Sequence, residues 1–450
     1  MRLRIIITTL CLALATVCGF ARQAVADQIG FIRDAEIENI IRGWWTPIIQ
    51  AAGLDPQAVH IYIVNDPTLN SFVAGGQNLF LNTGLLLRSQ SPNQVVGIMA
   101  HETGHIAGGH LSRSDEAMHN ATVASIIAMV AGAAAAVAGH NPDAAAAGML
   151  GGAGVGQSSF MAFSVTQEAS ADHAAMSFLD RAHISARGLL QFFEILQQEE
   201  LMTGAREDPY LRDHPLTQER VNYVREHVER SPWSNVPDPP EWIEQHRLMK
   251  AKLDAFLSAP SQVLASLKPD DNSVAARYAR AVAYYRIPQL DKALEAINGL
   301  IKDQPGNPYF QELKGQMLFE NGHIKEAIPP YLRAVELKPD NALLKIELAQ
   351  VELESEDGHY EPQALNQLNA AAAFESDNSE LWRLLAIAYG RSGNIGMAAL
   401  SIAEQNMADG DWNGARQQAA RALKLLPPGA QRQRAQDIAD DARRSRARDN

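Results

Sequence analysis

Five consecutive residues, His101-Glu102-Thr103-Gly104-His105, combine two imidazoles and a carboxylate within a short stretch. At this spacing both histidine side chains leave the same face of a helix and can hold one tetrahedral metal ion. Glu102 lies beside them, where a carboxylate can take a proton from a water molecule. The pattern therefore predicts a hydrolytic zinc site of the kind found in peptidases, with one Zn²⁺ per chain.

The residues before this motif predict that it lies on a buried helix. Ser91 is a typical helix cap, Pro92 suits the first helical position and Gln94 the third. An apolar run of Val95, Val96, Ile98 and Met99 follows. A solvated turn with two coincidental histidines would not follow such a run, which favours the metal site.

A catalytic zinc takes three protein ligands and leaves one position to water, so the sequence must supply a third donor. His110 is a candidate, but the longer HExxHxxGxxH pattern places its third histidine at Leu111. His110 is therefore expected to be a helix-end or packing histidine. The better donor is Glu168, which shares one face of a predicted helix, from about Phe160 to Leu179, with Asp172. Without the upstream motif, these two acids would indicate only an exposed acidic stripe.

Three landmarks together resemble a known family: His101–His105, Glu168–Asp172, and the later segment Asp213–Arg220, which reads DHPLTQER. They are similar to the zinc metallopeptidases that include HtpX and the CAAX prenyl proteases. The resemblance is closer to their secreted, repeat-bearing branch, the beta-barrel assembly-enhancing proteases. It covers most of the chain that remains after its amino-terminal segment.

The resemblance implies a role for each residue of the motif. His101, His105 and Glu168 would bind zinc, and Glu102 would be the general base. In this family, the segment from Asn70 to Leu85 is the sheet edge that leads into the metal-binding helix.

Two further residues, Asp172 and Arg220, are expected to support the ligands without binding the metal. The sequence departs from the family nearby: Ser164-Val165-Thr166 stands where an arginine is frequent. His173 and Ala175 stand where arginine and glycine are frequent. These departures affect the surroundings of the ligands more than the ligands themselves.

An extended substrate can pair with the backbone of an edge strand, which gives affinity with little sequence selectivity. Phe72, Val73 and Ala74 are predicted to bind substrate in this way. The alternative interpretation is that they form an ordinary internal strand.

His214 precedes Pro215 and is therefore expected in the loop that leads into the helix containing Arg220. There it can approach the zinc, either to stabilise an oxyanion as a catalytic residue or to occupy the water position at rest. A surface histidine before a helix is the alternative.

The amino terminus resembles a secretory signal. Two arginines precede an apolar stretch from Ile5 to Ala15, and Ala24-Val25-Ala26 offers a small-x-small cleavage site. The apolar core is short for an uncleaved membrane anchor. Residues 1–26 are therefore predicted to be a signal peptide, and the resemblance implies that the exported protein lies in the periplasm. Both cysteines lie in this segment, so the remaining chain has no disulfides.

Charge is distributed unevenly along the chain. A formal net charge of -13 argues against a general nucleic-acid binder. No charged residue occurs in residues 117–142 or 144–167. This region is interpreted as a hydrophobic hairpin that covers the active site or makes peripheral contact with a membrane, or as a buried hairpin of the peptidase core.

The carboxy-terminal part contains a repeat in which small residues recur at two positions. The interval is 34 residues, except for 37 across the third repeat. The first position is occupied by Ala281, Gly315, Ala349 and Ala386, and the second by Ala293, Ala327, Ala364 and Ala398. This period is typical of tetratricopeptide repeats, whose concave surface binds peptides or protein partners.

The expected fold is mainly α: a helical zincin-type metallopeptidase domain with a small β-sheet, followed by an α-solenoid of tetratricopeptide repeats. The peptidase domain is predicted over 27–257, the repeats over 258–430, and a charged, frayed tail over 431–450.

The predicted function is an exported zinc endopeptidase. By resemblance, its substrates are unfolded or misassembled envelope proteins, in the quality control of outer-membrane beta-barrels, and its repeats contact the envelope assembly machinery. The alternative is a chaperone-like adaptor or scaffold whose metal site is latent.

Overall fold

The computed structural model describes residues 30–110, 164–203, 210, 214–355 and 357–449. The predicted signal peptide and residues 117–163, which include most of the two stretches without charged residues, lie outside these ranges. Within them, the helices are too short or too polar to span a membrane.

The amino-terminal part combines a four-stranded sheet with helices. Its strands are β1 (Phe31–Ile32), β2 (His60–Val64), β3 (Ser71–Ala74) and β4 (Asn78–Asn82). Its helices are α1 (Ala35–Ala51), α2 (Thr83–Arg88), α3 (Pro92–Gly108), α4 (164–181), α5 (Arg187–Thr203) and α6 (Gln218–Arg230). Helix α7 (Pro240–Leu257) follows and leads into the repeats.

The strands lie in the order β1-β2-β4-β3, with β2 and β4 parallel and the other neighbours antiparallel. Strand β3 is thus an edge of the sheet as the structure describes it. Alternate side chains point to opposite faces. Ile61, Ile63, Leu79 and Leu81 are buried in the core against the helices, whereas Tyr62 and Phe80 are only partly buried on the other face.

Helix α3 carries the HETGH motif and begins as the sequence predicts. The Ser91 hydroxyl accepts a hydrogen bond from the Gln94 amide, and Pro92 occupies the first turn. At the other end, Gly109 has a left-handed conformation, with φ of 61°, that a side chain would disfavour. The helix is therefore fixed at both ends around the motif.

Two glycines allow neighbouring helices to contact the backbone of α3. A Cβ atom on Gly104 would lie 2.6 Å from the carbonyl oxygen of Ala171 in α4. A Cβ atom on Gly97 would lie 2.7 Å from the backbone nitrogen of Leu189 in α5. Because neither distance can accommodate a side chain, glycine at these positions brings α4 and α5 close to the motif.

The carboxy-terminal part is a solenoid of paired helices, so the predicted fold class is confirmed. Its helices are α8 (Pro260–Ser266), α9 (Val274–Tyr285), α10 (Leu290–Asp303), α11 (Pro308–Glu320), α12 (Ile324–Leu337), α13 (Ala342–Glu354), α14 (Glu361–Ala371), α15 (Ser379–Arg391), α16 (Ile395–Ala408), α17 (Trp412–Leu425) and α18 (Ala430–Asp449). Of the eight recurring small residues, Ala386 is only partly buried, and Gly315 packs directly beneath the ring of Tyr331.

The final segment differs from the frayed tail that its charges suggest. It forms helix α18, which buries Ala435, Ile438 and Ala442 against α17. The guanidinium of Arg434 also pairs with Glu404 at 2.6 Å. The buried positions are spaced at three and four residues, which provides an apolar stripe within an otherwise charged sequence.

Helix α7 is shared by both parts of the molecule. Its Met249 and Leu253 belong to the peptidase core, whereas Leu248 and Ala255 belong to the core of the first repeat. The domain boundary at 257/258 stays a prediction, because this helix contributes to the cores on both sides of it.

A buried charge cluster joins the start of α1 to the repeats. The ammonium of Lys252 lies 2.8 Å from Asp34 and 3.4 Å from both Glu36 and Glu312. The Tyr278 hydroxyl donates to Glu36 at 2.8 Å. Lys252 is 1% exposed, so these carboxylates depend on it for their neutralisation.

We expect Lys252→Met to lower the free energy of unfolding by about 3–5 kcal/mol, because it leaves buried carboxylates without their cation. The measurement is urea denaturation followed by circular dichroism. Arg230→Ala is the control, since it removes an exposed ion pair and should change stability by no more than about 0.5 kcal/mol. Equal stability of the two variants would contradict this role of the cluster.

Candidate metal centre

Four buried side chains place their donor atoms together at the centre of the peptidase part. Those of His101, His105, Glu168 and His214 all lie within 4.8 Å of one another. They come from α3, α4 and the loop before α6. The sequence-predicted ligands, 67 residues apart at the widest, are thus brought to one point, and His214 joins them.

The distances among the three predicted ligands suit a single small ion. The Nε2 atoms of His101 and His105 are 3.1 Å apart, and each lies 3.3 Å from a different oxygen of Glu168. Four ligand atoms about 2.05 Å from a tetrahedral ion would be about 3.3 Å from one another. Two imidazole nitrogens and a carboxylate oxygen are also a donor set that zinc accepts.

Asp172 orients the ring of His101. Its Oδ1 atom lies 2.8 Å from His101 Nδ1, so a proton on Nδ1 is donated to the carboxylate and Nε2 keeps its lone pair for a metal. Burial alone would lower the pKa of His101, but Asp172 and Glu168 raise it to about 10. Without a metal, both ring nitrogens of His101 therefore carry a proton at neutral pH, and the imidazole is cationic.

His110 contacts the second histidine of the motif. Its Nδ1 atom lies 3.0 Å from Nδ1 of His105, on the side of the ring away from His101. His110 is therefore outside the group of donor atoms, in agreement with a packing or helix-end role. Burial lowers the pKa of His105 to about 3, with the charge of His101 contributing and Glu168 opposing. A neutral His105 is the form that can bind a metal.

Arg220 connects two acidic side chains of α4. Its guanidinium contacts Asp172 at 2.6 and 3.0 Å and Glu168 at 2.9 Å. It also donates to the carbonyl of Pro215 and lies over the ring of Phe193. Burial would raise the pKa of Asp172, but Arg220 and His101 hold it below its usual range. The arginine thus keeps Asp172 ionised, whereas, despite burial, the pKa of Glu168 is held well below its usual range by His214, His101 and His105.

His214 is 6% exposed, which contradicts the interpretation of a surface histidine. Its Nδ1 atom lies 3.2 Å from both oxygens of Glu168, and its Nε2 atom lies 3.6 Å from Glu102. The ring of Tyr210 stacks on it, with centroids 4.7 Å apart. Burial alone would lower the pKa of His214, but Glu168 and Glu102 raise it.

Glu102 is fully buried, yet both its carboxylate oxygens lack a hydrogen-bond partner among the described residues. The same holds for Nε2 of His214, and the Ser71 hydroxyl approaches the carboxylate without hydrogen-bond geometry. Burial raises the pKa of Glu102, and the charges of His214 and His101 lower it only in part. Such unsatisfied buried atoms indicate room for a polar group at this point, as expected for a water beside a metal.

The predicted substrate strand is next to this centre rather than part of it. Strand β3 packs against α3. Ser71 and Val73 point toward the core, and Phe72 points to the opposite face of the sheet, where it stacks on Phe80. Sequence reasoning missed Ser71 and Tyr210, since a serine in a strand and a tyrosine before a loop have no distinguishing pattern.

Comparison with known proteins agrees with this geometry. Residues 32–228 match the model of peptidase family M48, and residues 262–308 and 278–342 match that of the tetratricopeptide repeat.

Two relatives are similar over most of the chain, and a third is similar over less than half of it. A putative beta-barrel assembly-enhancing protease of Vibrio cholerae serotype O1 is 26% identical over 82% of this chain and 76% of its own length. The beta-barrel assembly-enhancing protease of Escherichia coli K12 is 24% identical, over 79% and 72%. The metalloprotease LoiP of the same organism is 28% identical over 41% of this chain and 69% of its own length.

We expect Glu168→Ala to lose zinc on dialysis, because it removes a donor atom. His110→Ala should keep the site but weaken zinc binding by about 10–100-fold, because it removes the contact that supports His105 and leaves the three predicted ligands in place. Zinc content and competitive titration with a chelator measure both effects. Glu194→Ala, in the exposed part of α5, is the matched control and should bind zinc normally. If His110→Ala lost its zinc and Glu168→Ala kept it, His110 rather than Glu168 would be the third ligand.

Zinc affinity should also increase with pH. Since His101 has a pKa of about 10 without metal, zinc must displace its proton at neutral pH. Raising the pH from 6 to 8 reduces this competition, and affinity should rise by up to about tenfold per pH unit for each displaced proton. Asp172→Asn, which removes a charge that raises this pKa, should flatten the dependence. A flat profile in the unsubstituted protein would contradict the expectation.

Proposed function

Because this chain is a metallopeptidase of family M48 that carries tetratricopeptide repeats, we propose that it is an endopeptidase with one zinc ion held by His101, His105 and Glu168. The observation that carries the proposal is the group of buried donor atoms with the unsatisfied carboxylate of Glu102 beside it. A purely structural zinc site would not need a buried base beside it.

When bound, the ion supplies Lewis acidity, which makes a water more acidic and polarises a peptide carbonyl. Glu102 takes the proton of the attacking water at one carboxylate oxygen and then delivers it to the leaving amine. Its raised pKa suits this exchange, because a carboxyl that protonates closer to neutrality accepts and donates more readily.

Asp172 and Arg220 hold the ligands in position. Asp172 keeps the His101 proton on Nδ1, and Arg220 holds the carboxylate of Glu168 toward the two histidines. Both side chains are buried, so water is excluded from this part of the centre.

Substrate is proposed to bind as an added strand along β3, at Phe72, Val73 and Ala74. Strand β3 has a free edge among the described strands and packs against the helix that carries Glu102. Backbone pairing would hold an extended polypeptide across the centre, which favours unfolded substrates over folded ones.

The proposed biological setting is the bacterial periplasm, where the protein would degrade misfolded or stalled envelope proteins during outer-membrane beta-barrel assembly. The similarity to beta-barrel assembly-enhancing proteases supports this setting. The repeats would contact the assembly machinery, and the segments 117–142 and 144–167, which carry no charged residue, would make peripheral membrane contact. The net charge of -13 is unfavourable for nucleic acid.

One observation favours a second candidate, an adaptor or scaffold with a latent metal site. His214 lies within the group of donor atoms, where it can occupy the position that water needs. In that case the protein would bind clients through its repeats and cleave them only after His214 is displaced.

Glu102→Gln should retain zinc and lose casein cleavage, because the amide keeps the shape of the side chain but cannot accept the proton. Proteolysis of casein and zinc content are measured together on the purified protein. Equal cleavage by both proteins would remove Glu102 from the reaction.

The sign of the effect of His214→Ala separates its two possible roles. If His214 occupies the water position at rest, removing it should increase basal cleavage. If it stabilises the oxyanion, removing it should lower kcat by about a hundredfold or more. Cleavage at equal zinc occupancy is the measurement, and an unchanged rate would exclude both roles.

A further inference from the structure

Three aromatic rings form a ladder across the outer face of the sheet. Tyr62 of β2 is directly opposite Phe80 of β4, and Phe80 is directly opposite Phe72 of β3. The rings are stacked, with centroids 4.9 and 4.8 Å apart and planes within 15° and 8° of parallel. Phe31 of β1 leans on Tyr62 and Phe80 at 5.8 and 6.2 Å. The ladder thus crosses β2, β4 and β3, and Phe31 extends the aromatic contacts to β1.

Phe72 is the end of this ladder at the free edge. On the side away from this edge the ladder is anchored at Tyr62, whose hydroxyl donates to Asp377 of the repeats. Next to Phe72, no further strand of the described chain continues the stack. A ring placed beside it on an added strand would find the same spacing that the ladder already has.

Within strand β3 there is neither a charged residue nor a proline, two features by which proteins prevent strand pairing. Edge strands are commonly protected by lysine, other charges or proline within the strand. Here the sequence contains no Lys, Arg, Asp or Glu between Asp66 and Arg88, a stretch that includes the whole of β3 and β4. An unprotected, uncharged edge is suited to an apolar extended chain and would not select charged segments.

We propose that the edge strand selects substrates with a large apolar side chain, best an aromatic one, at the position that stacks on Phe72. The inference rests on the proposed function, since the occupant is the polypeptide that lies across the metal centre. Side chains of an added strand alternate between the two faces, so those on the Phe72 face meet the ladder and their neighbours face the metal side. Selectivity therefore has a period of two residues along the substrate.

This substrate class is a β-prone polypeptide in which aromatic residues alternate with others. An aromatic pair contributes about 0.5–1.5 kcal/mol beyond its buried area, which corresponds to about two- to tenfold in affinity. The effect is thus a preference among extended chains rather than recognition of one sequence.

The test uses a set of fluorescein-labelled peptides of Ser, Thr and Ala, each with a single Phe at a successive position. Binding to the zinc-loaded Glu102→Gln protein is measured by anisotropy, and kcat/KM is measured with the unsubstituted protein. We expect Kd to alternate with Phe position by about two- to tenfold. The discriminating quantity is the ratio of Kd between the Phe-free peptide and the best Phe-containing peptide.

In the Glu102→Gln background, Phe72→Ala should bring this ratio close to one, and Phe72→Leu should retain part of it. Phe374→Ala is the matched control, because Phe374 is an exposed aromatic residue of the repeats, 59% accessible, and its loss should leave the ratio unchanged. Zinc content and circular dichroism verify that each variant folds.

The inference would be overturned if this Kd ratio were near one in the Glu102→Gln protein with Phe72 intact. It would also be overturned if the ratio persisted in Phe72→Ala, or if no peptide bound. If peptides bind with the expected alternation but the unsubstituted protein cleaves none of them, the inference stands and the proposed peptidase function fails.

Discussion

The metal centre depends on one arrangement of buried charge, in which the guanidinium of Arg220 holds the carboxylates of Glu168 and Asp172. Burying two carboxylates without a cation would cost several kcal/mol for each, so neither acid could remain ionised in this core alone. Asp172 in turn fixes the ring of His101. The two carboxylate oxygens of Glu168 each lie 3.3 Å from Nε2 of one motif histidine. The ligand geometry is therefore a property of helices α3, α4 and α6 together, not of the motif alone.

The local part of this centre could be predicted from the sequence. A spacing of four residues places His101 with His105 and Glu168 with Asp172, and the cap at Ser91 defines where the first helix begins. The residues from other helices that contact these pairs could not be predicted from spacing. Arg220 is 48 residues from Asp172, and its position follows from the packing of α6 against α5. The resemblance suggested Arg220 as a supporting residue, but its contact with Glu168 is evident only in the folded structure.

In the repeats, too, the local pattern could be predicted from the sequence and the tertiary contacts could not. Their period could be predicted because small residues must recur where helices cross. The way in which they join the peptidase part could not, because Lys252 is flanked by residues that look like an ordinary amphipathic helix. Only tertiary packing shows that this lysine is buried among acids from α1 and α11. Likewise, the apolar stripe around Ile438 is hidden in a sequence dominated by charge.

The junction between the two parts also constrains the order in which the chain can fold. Arg33 contacts Glu375, Ala35 accepts from Asn341, and Glu36 accepts from Tyr278, at sequence separations of 342, 306 and 242 residues. A chain that emerges from its amino end presents residues 33–36 first and their partners last. All residues of the metal centre lie between them, so they can assemble before the start of α1 acquires its final contacts. Such long closures slow folding, and an incomplete repeat array leaves the amino end of the peptidase unanchored.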